Sequence, residues 1–375
     1  MRVVRGTKKE EFKSVIDLIN NVFRISKGHN PTMDKEFPLL LNENNVNNMR
    51  IIKEDGKIVS VVNFLKEDIF IEGSVIKAAS IGAVCTDKNY RKRGYSSLIL
   101  DDVEKKMYKD GVDIVLISGT RNLYKRRNYI EVENFYEYTI KPENIDMNIE
   151  VVDYKLEYLN EMAYMYNQNS TRYYRTYEEF EILLEAATIP WGRYTYKKYV
   201  LINDKNLIGY IVLRIIDENV KYGQVIELFG SQDVVFKVLS NICLDLKLDS
   251  IKYYVHVNDK INQLINCFKK EKTYLHGTVK IINFVSFMEN LRNYFIQHVS
   301  KRVIDKIKFK QDEEGYYFEI ENEILKIKDV KELTKLVFEG YDETDIDLED
   351  KPYIKKFLKN VFPIPFIWTA NLNYQ

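Results

Sequence analysis

The sequence predicts a mixed α/β chain, with α+β character toward its end, divided among three domains. Three observations lead there. A buried strand at residues 78–86, a basic glycine loop, a helix at 96–109 and a second strand at 113–118 follow one another in the order an α/β unit requires. A similar order returns between residues 207 and 257, without a glycine-rich basic loop. The length of 375 residues exceeds the ~250 to 300 at which single hydrophobic cores stop growing.

Taken in order, the chain opens with a short strand at residues 2–4, then Thr7 as a helix cap with Glu10 three residues on. The helix that follows repeats Phe12, Val15, Ile16, Ile19 and Val22 at helical spacing, which gives it one face to lay on a sheet. β-Branched runs at 49–62 and 69–84, broken at Glu54-Asp55-Gly56 and Glu72-Gly73-Ser74, predict an antiparallel meander. Ile99, Val103 and Met107 mark the buried side of the helix at 96–109, and Asp110-Gly111 turns the chain into the strand that follows.

The pattern lapses near KPENIDMNIE, so the first domain is drawn as 1–145. Residues 146–290 form the second, with helix over much of 154–188, a break at Ile189-Pro190-Trp191-Gly192, strands at 198–201, 207–216 and 224–229, a helix at 234–246 and a strand at 252–257. The third, 291–375, is a small α+β module with strands at 304–310, 316–320 and 324–327 and a helix at 330–339. Its end, VFPIPFIW, is too apolar to lie in water and is expected to be buried.

Composition excludes several classes. Lys plus Arg and Asp plus Glu both total 56, so no overall field would hold the chain on nucleic acid or an anionic membrane. Cys85, Cys243 and Cys267 are odd in number, far apart and without a CxxC pair, which argues against a disulfide framework and a zinc site. His29, His256, His276 and His298 show no metal-ligand spacing, so no metal is expected. The charged N-terminus lacks a signal-peptide core, and no stretch reaches ~18 apolar residues, so a cytoplasmic protein is the expectation.

The chemistry centres on Arg91-Lys92-Arg93-Gly94-Tyr95-Ser96, with Ser97 next. Between a strand and a helix, the first N–H groups of the helix lack partners and can bind an anion. Gly94 lets the backbone approach it closely, and Arg91 or Arg93 can grip phosphate oxygens with two hydrogen bonds. The bland alternative is a basic surface turn that caps a helix.

The stretch IGAVCTDKNYRKRGYSSLILDDV resembles motif A of the GNAT acetyltransferase superfamily, Q/R-x-x-G-x-G/A after a splayed strand, with Ser96 in place of the last small residue. The resemblance implies acetyl-CoA as cosubstrate and a cofactor site at Val84, Cys85, Thr86, Arg91, Lys92, Arg93, Gly94, Tyr95, Ser96, Ser97 and Thr120, with the pantetheine amides on the main chain of Val84 and Thr86. Further on, RNLYKRRNY resembles the I-Y-G-R-F-G-Y segment of the enhanced-intracellular-survival (Eis-like) group. There Tyr124 falls on the tyrosine that protonates the departing thiolate, while Lys125 and Asn128 stand where the group has glycines and Arg127 replaces the aromatic. The same group implies a degenerate GNAT-like middle domain, a sterol-carrier-like C-terminal domain and a terminal carboxylate, here that of Gln375, as base.

The function expected is therefore transfer of an acetyl group to an amine on a small molecule or peptide, with no nucleic-acid or membrane partner and with homo-oligomers allowed. The rival class is a non-catalytic sensor or scaffold that holds acyl-CoA or a lipid. A nucleophilic Cys85 is the competing chemistry, opposed by the frequency of buried structural cysteines and the lack of a nearby histidine. The acidic run at 339–350 lacks calcium-loop spacing and reads as a solvated loop.

Overall fold

The structure is a computed structural model that describes residues 3–190, 192–265 and 268–373. It separates into two compact units, one of residues 1–133 with 275–366 and the other of 134–274 with 367–375.

In the first unit β1 (Arg5–Gly6), α1 (Phe12–Phe23), α2 (Met33–Glu36), β2 (Met49–Glu54), β3 (Lys57–Ile71) and β4 (Ser74–Thr86) come first. The strand expected at 2–4 begins instead at Arg5, and Arg2 lies outside the described residues. Thr7 does not cap a helix: its hydroxyl donates to Met49 O at 2.7 Å and ties the chain start to β2. Two-residue turns at Asp55-Gly56 and Glu72-Gly73, with positive φ at both central positions, make the β2–β3 and β3–β4 hairpins. α3 (Tyr95–Lys109), β5 (Ile114–Ile117) and the short α4 (Asn122–Lys125) complete the α/β unit read from the sequence. Val15, Ile16, Leu18 and Ile19 of α1 bury one sheet face, and Ile99, Leu100, Val103 and Met107 of α3 bury the other.

The second unit begins with β6 (Phe135–Ile140) and β7 (Glu150–Asp153), within the stretch where the first domain was expected to end. The segment read as largely helical holds α5 (Leu159–Asn167), a short strand β8 (Thr171–Tyr173) and α6 (Tyr177–Ala186). Then come β9 (Tyr194–Asn203), β10 (Asn206–Asp217), β11 (Lys221–Gly230), α7 (Gln232–Asp245), β12 (Ser250–His256), α8 (Ile261–Leu264) and β13 (Lys269–Thr273), with strand order β13-β6-β12-β11-β10-β9-β7. β11 and β12 are parallel, joined through α7, and their other neighbours are antiparallel, which is the plan of β4, α3 and β5 repeated.

The chain then returns to the first unit. β14 (Thr278–Ile281) lies antiparallel to β5, giving the order β1-β2-β3-β4-β5-β14. After α9 (Phe284–Asn290), α10 (Arg292–His298) and α11 (Lys301–Lys306), the antiparallel sheet β15 (Lys308–Asp312), β16 (Gly315–Ile320) and β17 (Glu323–Ile327) is backed by α12 (Val330–Glu339) and α13 (Pro352–Val361). Residues 304–306, the start of the strand expected at 304–310, belong to the helix α11 instead. Asp113, at the head of β5, accepts from Asn290 at 2.8 Å, so this region packs as one body with the first sheet. Val361, Phe362, Ile364 and Phe366 are buried, as the apolar tail predicted.

Candidate active site

β4 and β5 pair in parallel from Ala78–Ile114 to Ile81–Ile117 and then part. Beyond that vertex β4 carries a bulge at Ala83-Val84, where the register with β3 shifts and Ala83 takes φ +49°. Along the bulged segment the faces alternate: Ala83 and Cys85 join the apolar cluster under α1, while Val84 packs with the cluster under α3. Asp87 turns its N–H to Val59 O at 2.8 Å, so by the alternation of an antiparallel ladder Cys85 faces β3 and Thr86 and Val84 face the open edge. Of the three strand residues expected at the cofactor, two therefore offer main-chain groups there. Cys85 is held inward, its carbonyl accepting from the Ser60 hydroxyl at 3.1 Å and its thiol pushed up to about 12 by burial.

The loop after β4 turns on two left-handed residues, Lys92 at φ +62° and Gly94 at φ +78°. A Cβ on Gly94 would meet no protein atom within 4 Å, so within the chain it is the left-handed backbone conformation that calls for glycine. Gly94 is the N-cap of α3 and no side chain caps the helix, which leaves its opening N–H groups for an anion. The cations differ in their engagements. Arg93 reaches Glu54 at 3.2 Å and stacks on Tyr90, Arg91 contacts Thr86 O at 3.4 Å, and Lys92 is exposed. Tyr95 is buried with its hydroxyl on Glu54, so only its main chain is at hand. Ser96 bonds Thr86 Oγ1 at 3.0 Å, and that hydroxyl lies 2.8 Å from Ser60, which ties the loop's end to β4 and β3. Ser97 is half-buried with its carbonyl taken by Arg127 at 2.8 Å, and Thr120 is exposed beyond β5.

Tyr124 sits on α4, 5% exposed, in the cluster that holds Ile117 and Val84, with its ring against Gly119 and edge-on to Tyr129. Burial raises its phenol above the ordinary value, and Arg121 pulls the other way. Two of the neighbouring cations are engaged: Arg127 pairs with Asp101 at 2.7 Å and Lys125 with Glu131 at 2.7 Å. Asn128 takes φ +65°, a left-handed conformation that asparagine tolerates, so the glycine replaced there leaves the turn intact. Gln375 lies outside the described residues. Sequence reading missed Glu54, Ser60 and Asn63, which hold the loop and the bulge from β2 and β3. Only the hairpin register brings them there.

Residues 3–131 match the family model of the acetyltransferase (GNAT) domain. The N-terminal part of this chain is a GNAT domain. The rest of the fold is shared with solved GNAT proteins. A GCN5-related N-acetyltransferase from Anabaena variabilis ATCC 29413 is 12% identical, with all of both chains covered and a TM-score of 0.66. A probable N-acyltransferase from Enterococcus faecalis V583 is 16% identical over 95% of this chain and 93% of its own, at 0.64. Eis1 from Mycobacterium abscessus is 14% identical over 90% of each chain, at 0.57, which bears out the Eis-like resemblance at the level of fold. No curated protein matches the chain by sequence. The GNAT domain supports an N-acyltransferase function. Among the described residues no group of His, Cys, Asp and Glu could hold a metal ion, and no helix is long and apolar enough to cross a membrane.

Proposed function

We propose that the chain is an N-acetyltransferase that moves an acetyl group from acetyl-CoA to an amine by direct transfer in a ternary complex. The parting of β4 and β5, which opens onto an uncapped helix start beside exposed cations, carries the reading. An extended pantetheine arm is matched by the edge groups of Val84 and Thr86, and a pyrophosphate by the main chain of residues 91–97 with Arg91 and Lys92. In this reading the amine attacks the thioester carbon and a backbone N–H near residues 84–86 holds the oxyanion. The C–S bond breaks as the Tyr124 hydroxyl gives its proton to sulfur, and the ammonium proton passes to water.

A phenol held above its ordinary value keeps its proton through neutral pH, so Tyr124 has a proton to give to the departing sulfur. The sterol-carrier-like reading of residues 291–375 rests on a small antiparallel sheet backed by helices. The test is thiol release from acetyl-CoA with purified protein across a panel of amines and peptides. Release that needs an amine is the expected result. CoA binding in calorimetry with no release from any amine would return the chain to a sensor or scaffold.

A further inference from the structure

We infer that Leu40 closes the acyl end of the β4–β5 wedge and restricts the donor to short acyl groups; the inference rests on the acyl-CoA reading of that wedge. Gly82 is the first residue past the last β4–β5 pair, at the vertex itself. A Cβ on Gly82 would lie 2.6 Å from Leu40 Cδ2, a distance real Cβ atoms do not reach, so glycine is what lets this leucine rest on the strand backbone. Leu40 is half-buried and packs with Phe37 and Ala83 in the apolar cluster under α1.

Both sides of this contact are held. Asn45 Nδ2 donates to Leu40 O at 2.9 Å and to Phe64 O on β3 at 3.0 Å, and Leu41 N–H closes on Phe37 O at 2.9 Å. Across the strand, the buried Asn63 amide donates to Ala83 O at 3.2 Å and fixes the bulge. A pantetheine arm that leaves the α3 start and runs back along Thr86 and Val84 points its thioester at Ala83 and Gly82. An acyl chain that continues in that line meets Leu40, whose carbonyl anchor prevents it from swinging away with its loop. Acetyl fits before the leucine, and each further methylene must displace it.

The experiment is calorimetric titration of the full chain with CoA, acetyl-CoA, butyryl-CoA and octanoyl-CoA, which needs no acceptor. The wild type should bind acetyl-CoA most tightly, and Leu40→Ala should narrow the acetyl-to-octanoyl affinity ratio by about tenfold or more, within the range a hydrophobic pocket gives per methylene. Leu40→Val, a smaller change less able to disturb folding, should shift the ratio the same way by less. Octanoyl-CoA bound as tightly as acetyl-CoA by the wild type, or an unchanged ratio in a folded Leu40→Ala, overturns the inference and leaves the acyl-CoA site standing. Failure to bind CoA itself overturns both.

Discussion

A phenol that is to protonate a leaving thiolate must keep its proton through the working pH and yet lie within reach of water-excluded chemistry. Tyr124 has the surroundings for this, since burial lifts its pKa while Arg121 offsets only part of the rise. Tyr124→Phe should lower kcat by about 10²- to 10⁴-fold, the usual worth of general acid–base catalysis, read as amine-dependent thiol release. Because the acid acts while protonated and its pKa is raised, the wild-type rate should hold through neutral pH and fall only above about pH 10, a limb that Tyr124→Phe should lack. Cys85 gives the opposite case. With its thiol pushed up to about 12 it carries no thiolate near neutrality, so Cys85→Ala should retain transfer and lose about 1 kcal/mol in chemical denaturation. The tyrosine was legible because its spacing after a core strand is local. The engagements of Arg127 and Lys125 were not, because they depend on α3 and on Glu131 arriving beside them.

At the scale of elements, the loop between β4 and α3 works through backbone shape. Gly94 at φ +78° is in a region that costs a Cβ-bearing residue about 1–2 kcal/mol. Gly94→Ala should therefore lose about that much stability in urea titration and bind CoA more weakly, since relief of the strain would turn the helix N–H groups from the anion. The strand, loop, helix and strand were readable because each is set by periodicity and turn residues within a few positions. β6 and β14 were not readable as members of their sheets. FYEYTI and TVKI are short and could pair with any open edge, and pairing across more than a hundred residues decides which. That is also why domain boundaries drawn from composition at 145 and 290 fall away from the observed breaks near 133 and 275.

Across the whole molecule, the second unit contains a charge pair with no place in the proposed chemistry. Arg175 and Glu227, almost wholly buried, share two hydrogen bonds of 2.9 and 2.7 Å; Tyr210 adds a third to Glu227, and Arg175 Nε holds Asn373 Oδ1 at 2.6 Å. Trp368 stacks on Tyr254 at 3.9 Å, so the segment from 367 is seated in this unit at both ends of its described length. Arg175→Met should cost about 3–5 kcal/mol by leaving a buried carboxylate unpaired, and adding Glu227→Met should recover much of it, both measurable by denaturant titration. Equal losses in the single and double variants would show that packing, and not the charge, dominates.

Taken alone, the sequence determined the α/β unit, the basic glycine loop between strand and helix and the place of Tyr124 after the second strand, because apolar spacing, a glycine and a strand-to-helix turn act over a few residues. Tertiary structure decided which sheet β6 and β14 join, which cations remain exposed, that Cys85 turns inward, and that Leu40 lies on Gly82. Those outcomes depend on contacts between residues far apart in the chain, whose closure entropy is offset only once the surrounding core has formed.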